Sequence, residues 1–183
     1  QPVAATSVSP IRLHVDASQA PMTEKVTRAH FDADMLTLDG AKVGPLRGIG
    51  CLIAHRTIPI EPLYKGGGQE RGLRAGSESP ELANAFAKAL TSAVKGREAF
   101  LAIADVQRAE LIAQITEVAN VQHLVLNINE GRAQVPNILN ISLPGRDTDY
   151  LVALLDEADF ALSTKRACET DSAEGSRAVL ALT

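Results

Sequence analysis

The chain has 183 residues, 45% hydrophobic and 22% charged, with a formal net charge of −4. That is ordinary globular composition, enough to bury a core in one domain or two small ones, and it lacks the basic surface that nucleic-acid binding requires. No apolar run approaches the ~20 residues of a membrane helix, and Cys51 and Cys168 cannot build a disulfide framework, which fits a reducing compartment. The start, QPVAATSVSPIRLHVD, has no charged stretch ahead of an apolar one and does not read as a signal peptide. A strand-like run begins almost at once, and the closing SRAVLALT reads as the inside of a helix. Both ends are expected to be cuts through a larger protein, the alternative being a complete small domain with a processed N-terminus.

In chain order, Ile11–Val15 alternates apolar and polar residues and predicts a short strand, followed by the polar loop Asp16-Ala-Ser-Gln19. Asp34–Leu38 predicts a second strand. Residues 40–50 carry four glycines and a proline and read as a loop. Ile49–Ala54 predicts a third strand, expected to be buried, and Lys65–Ser77 an exposed, charged, Gly-rich loop. A helix then opens, with Ser79 as N-cap, Pro80 at the first helical position and Glu81 at the positive end. Leu82, Phe86, Leu90 and Val94 give it an apolar face. Gly96 is expected to break it, and a second helix, Glu98–Val118, to pack through Leu101, Val106, Leu111 and Ile115. Val121–Leu126 and Ile138–Leu143 read as strands around the polar turn Asn127–Gln134. Asp147–Asp156 reads as a helix, Phe160–Leu162 as a strand, and Ser172 onward as a last helix. This order predicts part of an α/β sheet domain joined through a helix to a smaller α+β domain.

Four groups carry candidate chemistry. Lys42 stands in Asp39-Gly-Ala-Lys-Val-Gly-Pro45, and a tight loop at a strand end can hold a lysine for Schiff-base chemistry, with partial burial easing loss of its proton. Taken alone, the loop reads more simply as a solvated one. Asp16, directly after a strand, can keep a pyridine nitrogen protonated so that a pyridoxal ring acts as an electron sink, and Gln19 can donate to that ring's phenolic oxygen. The pair alone also reads as an Asx-type turn. Residues 66–77 hold five glycines, two arginines and Ser77; backbone N–H groups there can approach an anion and a hydroxyl can complete a phosphate site, with a flexible surface loop as the plainer reading. Cys168 lies between Lys165 and Arg166, which favour a thiolate, and Glu169 and Asp171, which oppose it; it is either reactive or a fortuitous surface thiol. Cys51 reads as a buried structural thiol and His14 as a sheet residue. The histidines do not cluster with cysteine, so no metal site is expected.

Together and in this order, these segments resemble the cysteine desulfurases, the class-V branch of the fold-type-I pyridoxal-phosphate (PLP) enzymes. The resemblance rests on His14-Val-Asp-Ala-Ser-Gln19, Asp39-Gly-Ala-Lys42 with Gly48-Ile-Gly50, Gly66-Gly-Gly-Gln-Glu-Arg-Gly-Leu-Arg-Ala-Gly-Ser77, Pro136-Asn-Ile-Leu-Asn-Ile-Ser142 and Ser163–Cys168. It covers nearly the whole chain, and the Gly66–Ser77 and Pro136–Ser142 runs are its specific parts. It implies an α/β fold in which residues 1–96 are the C-terminal part of the large PLP-binding domain and residues 97–183 most of the small α+β domain.

The resemblance also implies roles. Asp16 pairs with the ring nitrogen, Gln19 with the ring oxygen, and Lys42 binds the cofactor and later moves protons. Ser77 matches a position that reaches the cofactor phosphate of the partner subunit in a homodimer. Cys168 matches the mobile-loop nucleophile that takes sulfur from L-cysteine, becomes a persulfide and passes sulfur to acceptors such as an iron–sulfur scaffold. A cytoplasmic setting, without nucleic-acid or membrane partners, follows. The chain departs from the family pattern at Asp39 and Ala41, where a serine and a histidine usually help to hold the phosphate. Asp39 would repel a phosphate dianion unless it points away or accepts a backbone N–H. The family's stacking histidine, first phosphate loop and substrate-binding arginine fall outside the chain. By itself the chain is therefore expected to be inactive, with an exposed sheet edge and apolar face that favour aggregation. Alternatives are a selenocysteine lyase, an aminotransferase of the same class, or a non-catalytic sulfur-relay protein.

Overall fold

The computed structural model describes residues 11–122, 125–127 and 134–164. They fall into two compact units that part between Ile103 and Ala104, inside one long helix.

In the first unit, β1 (His14–Asp16), β2 (Met35–Asp39) and β3 (Gly50–Ala54) form a sheet in that order. β1 runs parallel to β2, and β3 antiparallel to it. The period-2 alternation of β2 sends Leu36 and Leu38 to one face and Thr37 to the other. Leu36 is wholly buried and, with Leu38, meets Phe86 of helix α1 (Pro80–Gln122), ringed by Val15, Leu46, Ile49, Cys51 and Leu90. Burying one leucine this completely contributes about 1.5–3 kcal/mol. The predicted strands lie within three residues of the observed ones at each end. β3 differs in burial: Leu52 and Ile53 are 48% and 39% exposed. β3 is an outer strand of the described sheet, and Leu52 pairs with Thr37 on the face away from the core.

Ser79 caps α1 as expected, accepting the Leu82 N–H on its hydroxyl oxygen at 3.5 Å. Gly96 does not break the helix, which runs unbroken over 43 residues from Pro80 to Gln122. An interior glycine costs only about 1 kcal/mol against alanine, and the turns on both sides of it are held by packing. Phe86 and Leu90 face the core as predicted and Leu82 is half-buried, but Val94 is 51% exposed. Four-residue steps advance about 40° each around a helix, so the third step from Leu82 has turned roughly 120°. The sheltered path instead runs through Ala93, Arg97 and Leu101.

In the second unit the sheltered positions of α1 are Ala104, Arg108, Ile112 and Ile115, whereas Val106 and Leu111 point outward. Five-residue steps turn about 140° and cannot share a face. β4 (Val125–Leu126) pairs antiparallel with β5 (Ile141–Ser142). The strand expected at Val121–Leu126 is thus shorter, because α1 continues to Gln122. Helix α2 (Thr148–Glu157) is capped by Asp147, whose Oδ1 accepts the N–H groups of Asp149 and Tyr150 at 3.0 and 3.1 Å. Phe160–Leu162 is not a strand. Asp159 adopts φ +65°, and the Phe160 N–H returns to the Leu155 carbonyl at 2.8 Å, so this segment closes α2 instead. The helix expected from Ser172 and most of the 127–134 turn lie outside the described residues. No described helix is long and apolar enough to cross a membrane.

Candidate active site

Because β1 and β2 are parallel, their C-terminal ends lie at the same edge of the sheet. Asp16 ends β1, and Asp39 ends β2 just before the 3-10 turn Gly40–Lys42. Ligands of open α/β sheets collect outside such carboxyl ends. The register Asp16↔Thr37 places these side chains together on the face opposite Leu36 and Leu38. This polar face also carries His14, whose Nε2 lies 2.7 Å from Thr37 Oγ1. His14 is a sheet residue, as its sequence context suggests.

The Asx-type turn is real. Asp16 Oδ1 accepts the Ser18 hydroxyl at 2.6 Å and the Ser18 N–H at 3.0 Å. The Ser18 hydroxyl, then its N–H, hold the Asp16 carboxyl below the ordinary aspartate range; partial burial opposes this and the nearby His14 assists. The turn therefore keeps the carboxylate ionised, which is what pairing with a protonated ring nitrogen requires. Both bonds land on one oxygen. Gln19 follows in the same turn and is exposed.

Lys42 is exposed at the end of the 3-10 turn. The turn is fixed at its base: the Gly40 N–H donates to the Ile49 carbonyl at 2.9 Å. A Cβ on Gly40 would come within 2.8 Å of Ile49 Cγ2 and 2.9 Å of Ile49 O, so only glycine allows the close approach. Asp39 caps the turn, with Oδ1 accepting the Ala41 N–H at 2.9 Å. Of the two ways its charge could be accommodated, the backbone N–H is the one realised. That N–H is thereby committed to an internal carboxylate. Asp16, Gln19 and Lys42 fit the ring end of PLP; Asp39–Lys42 does not offer its phosphate a site.

Ser77 is exposed at the end of a separate loop, and no hydrogen bond joins it to Asp16, Gln19 or Lys42. In that loop Glu70 and Arg71 adopt φ +48° and +60°, and Glu78 accepts the Glu70 N–H at 3.1 Å. Cys168 lies outside the described residues. The segment leading to it starts at Thr164, whose hydroxyl donates to Asp149 Oδ1 at 2.9 Å. Cys51 is half-buried on the core face, and burial pushes its thiol up. The Pro136–Ser142 run is tied to α1 by Arg108, which donates to the Ile138 carbonyl and to Gln134 Oε1.

Sequence reasoning passed over Ser18, Thr37 and Arg97. Ser18 is legible as the second partner of an Asx turn, and Thr37 by counting in twos along β2. Arg97 has no local signal: its guanidinium donates through Nε and Nη2 to the Pro21 carbonyl at 3.2 and 3.0 Å, across 76 positions of chain.

Comparison with known proteins matches residues 4–180 to the family described as Aminotransferase class-V. The chain is 33% identical over 173 residues to a mitochondrial cysteine desulfurase of Arthroderma benhamiae, covering 92% of this chain and 33% of that protein. It is 30% identical over 173 residues to the cysteine desulfurase IscS 1 of Archaeoglobus fulgidus, covering 92% and 43%. Among solved structures, a NifS-like protein superimposes with a TM-score of 0.67 at 27% identity, over 82% of this chain and 40% of that one. The chain thus spans a third to under half the length of the proteins it resembles.

Proposed function

The chain belongs to the class-V aminotransferase family, and we propose that it forms the central part of a PLP-dependent cysteine desulfurase. That enzyme takes sulfur from L-cysteine to leave L-alanine and an enzyme persulfide, for iron–sulfur cluster assembly or tRNA thiolation. The observation that carries this reading is the placement of an ionised Asp16 and an exposed Lys42 at the carboxyl ends of two adjacent parallel strands. The names of its relatives support it.

When bound, PLP supplies a ring that draws off the electrons of the substrate Cα–H bond. Asp16 would hold the proton on the ring nitrogen, with Ser18 keeping that carboxylate charged. Gln19 would donate its amide to the ring oxygen. Lys42 would hold the cofactor, and its Nζ would take the α-proton of the substrate and later return it. The Cys168 thiolate attacks the substrate sulfur. The S–Cβ bond breaks, its electrons stay on carbon and are protonated to give alanine, and the sulfur remains on Cys168 as a persulfide. Ser77 acts on the cofactor phosphate of the partner subunit in a homodimer. In the same reading residues 1–96 belong to the large domain and 97–183 to the small one; the passage from one compact unit to the other inside α1 supports it. A cytoplasmic setting, a persulfide acceptor such as an iron–sulfur scaffold, and no direct nucleic-acid partner complete it.

The test uses the full-length protein with PLP and L-cysteine, with alanine and sulfide measured together. With a thiol reductant present to release the persulfide sulfur as sulfide, equal yields, lost in Cys168→Ala, are expected. Alanine formation that survives Cys168→Ala removes the nucleophile and points to a selenocysteine lyase or another class-V activity, and a keto-acid product points to an aminotransferase. A visible cofactor band retained by Lys42→Ala sinks the Lys42 assignment. A second reading, a non-catalytic sulfur-relay protein, is favoured by the Asp39 carboxylate on the Ala41 N–H, and absence of any cofactor band in the wild type would establish it.

A further inference from the structure

We propose that Arg97 of α1 is a positioning residue for the Asp16–Gln19 loop and acts through the Pro21 carbonyl. The inference rests on the PLP reading above. Residues 17–21 leave the end of β1 and must hold Gln19 at a set height above the sheet edge. The near end of this loop is pinned to the sheet, where the Ala17 N–H donates to the Thr37 carbonyl at 2.9 Å. Its middle is a tight turn closed by the Ala20 N–H on the Ala17 carbonyl at 3.0 Å. Its far end, Pro21, is fully buried. A buried carbonyl needs a donor, and proline at that position restricts the backbone further.

Arg97 supplies that donor twice, through Nε and Nη2. A planar guanidinium fork on one carbonyl restrains direction as well as distance. The donor comes from a helix that the same face binds to the sheet through Phe86 and Leu90. Both ends of the loop are therefore referred to one rigid body, β2 at the start and α1 at the end. Without Arg97 the far end keeps its local turn, in which the Ala20 carbonyl accepts the Thr23 and Glu24 N–H groups at 2.9 and 2.7 Å, but loses its hydrogen bond to α1, and Gln19, three residues beyond Asp16, is less restrained while Asp16 stays in its own turn with Ser18. The two proposed ring contacts thus separate: Asp16 depends on local bonds, and Gln19 depends on α1.

The experiment is a coupling cycle in the full-length protein, reading the pH titration of the visible band of bound PLP. Gln19→Ala displaces the titration midpoint, because its amide no longer bonds the ring oxygen. Arg97→Met is expected to displace it in the same direction and to weaken PLP binding roughly 10-fold, the scale of one lost charge-assisted hydrogen bond. Adding Arg97→Met to Gln19→Ala is expected to displace the midpoint no further, because both changes act through one contact. Arg97→Lys, which keeps charge and stem but not the fork, is expected to fall between wild type and Arg97→Met. Amide hydrogen exchange in residues 17–20 of the cofactor-free protein is expected to quicken in Arg97→Met and not in Gln19→Ala. An unchanged midpoint in Arg97→Met, or displacements that add in the double variant, overturns the proposal and leaves the PLP reading standing. If Arg97→Met does not fold, Arg97→Lys with a wild-type midpoint and wild-type exchange overturns it. Absence of a cofactor band in the wild type overturns the PLP reading and the Arg97 proposal together.

Discussion

Replacing Gly40 with alanine tests whether close approach of the lysine turn to the sheet is what places Lys42. The new methyl would lie 2.8 Å from Ile49 Cγ2, 2.9 Å from Ile49 O and 3.4 Å from Leu46 Cβ. A side-chain methyl can move; a backbone carbonyl that already accepts the Gly40 N–H at 2.9 Å cannot do so without losing that bond. Overpacking of this kind costs about 1–3 kcal/mol, and the hydrogen bond adds about 1 kcal/mol. The expected destabilisation is therefore about 2–4 kcal/mol. The assay is urea unfolding of the full-length protein, with the visible band of bound PLP recorded in parallel. Gly44→Ala is the control, since its methyl would meet Ala89 Cβ at 3.5 Å, an ordinary contact, and a shift within about 0.5 kcal/mol is expected. The band should weaken in Gly40→Ala and persist in Gly44→Ala. A Gly40→Ala protein with wild-type unfolding midpoint and wild-type band would refute the reasoning.

Leu36→Ala, at a wholly buried position of β2, is expected to cost about 2–5 kcal/mol in the same unfolding assay; a cost under about 1 kcal/mol would mean the sheet is not packed as described. Ser18→Ala removes the bond that does most to lower the Asp16 carboxyl. A depressed carboxyl contributes stability that is present above the unfolded value of about 3.9 and lost as pH falls through the lower folded value. The variant should thus be less stable than wild type at neutral pH, by about 1 kcal/mol or less because Asp16 is solvent-screened. The gap should close below about pH 3.9; a pH-independent gap would place the effect elsewhere. The 183-residue chain by itself, with Ile11, Leu13, Leu52 and Ile53 exposed on and beside its sheet, is expected to aggregate on size-exclusion chromatography, and a cooperatively melting monomer would contradict this.

Local chemistry made much of this protein legible without coordinates. Three strands follow from local alternation, and the Ser79 cap and the Asx turn at Asp16 from neighbouring residues, whose hydrogen bonds reach two or three positions along the chain. The family resemblance follows from the order of such short segments. What failed was periodicity carried too far: four- and five-residue steps in place of 3.6 turned Val94, Val106 and Leu111 off the packed face. A glycine at position 96 looked like a stop and was absorbed by a helix packed on both sides of it.

Only the tertiary structure decided which ends of which strands meet. The parallel pairing of β1 with β2 brings Asp16 beside the turn of Lys42, although 25 residues part them in sequence. The packing of α1 on the sheet brought Arg97 to Pro21, 76 positions away. These are long-range contacts. Their donors and acceptors find partners through the packing of α1 on the sheet, and no window of local sequence contains both members of the pair.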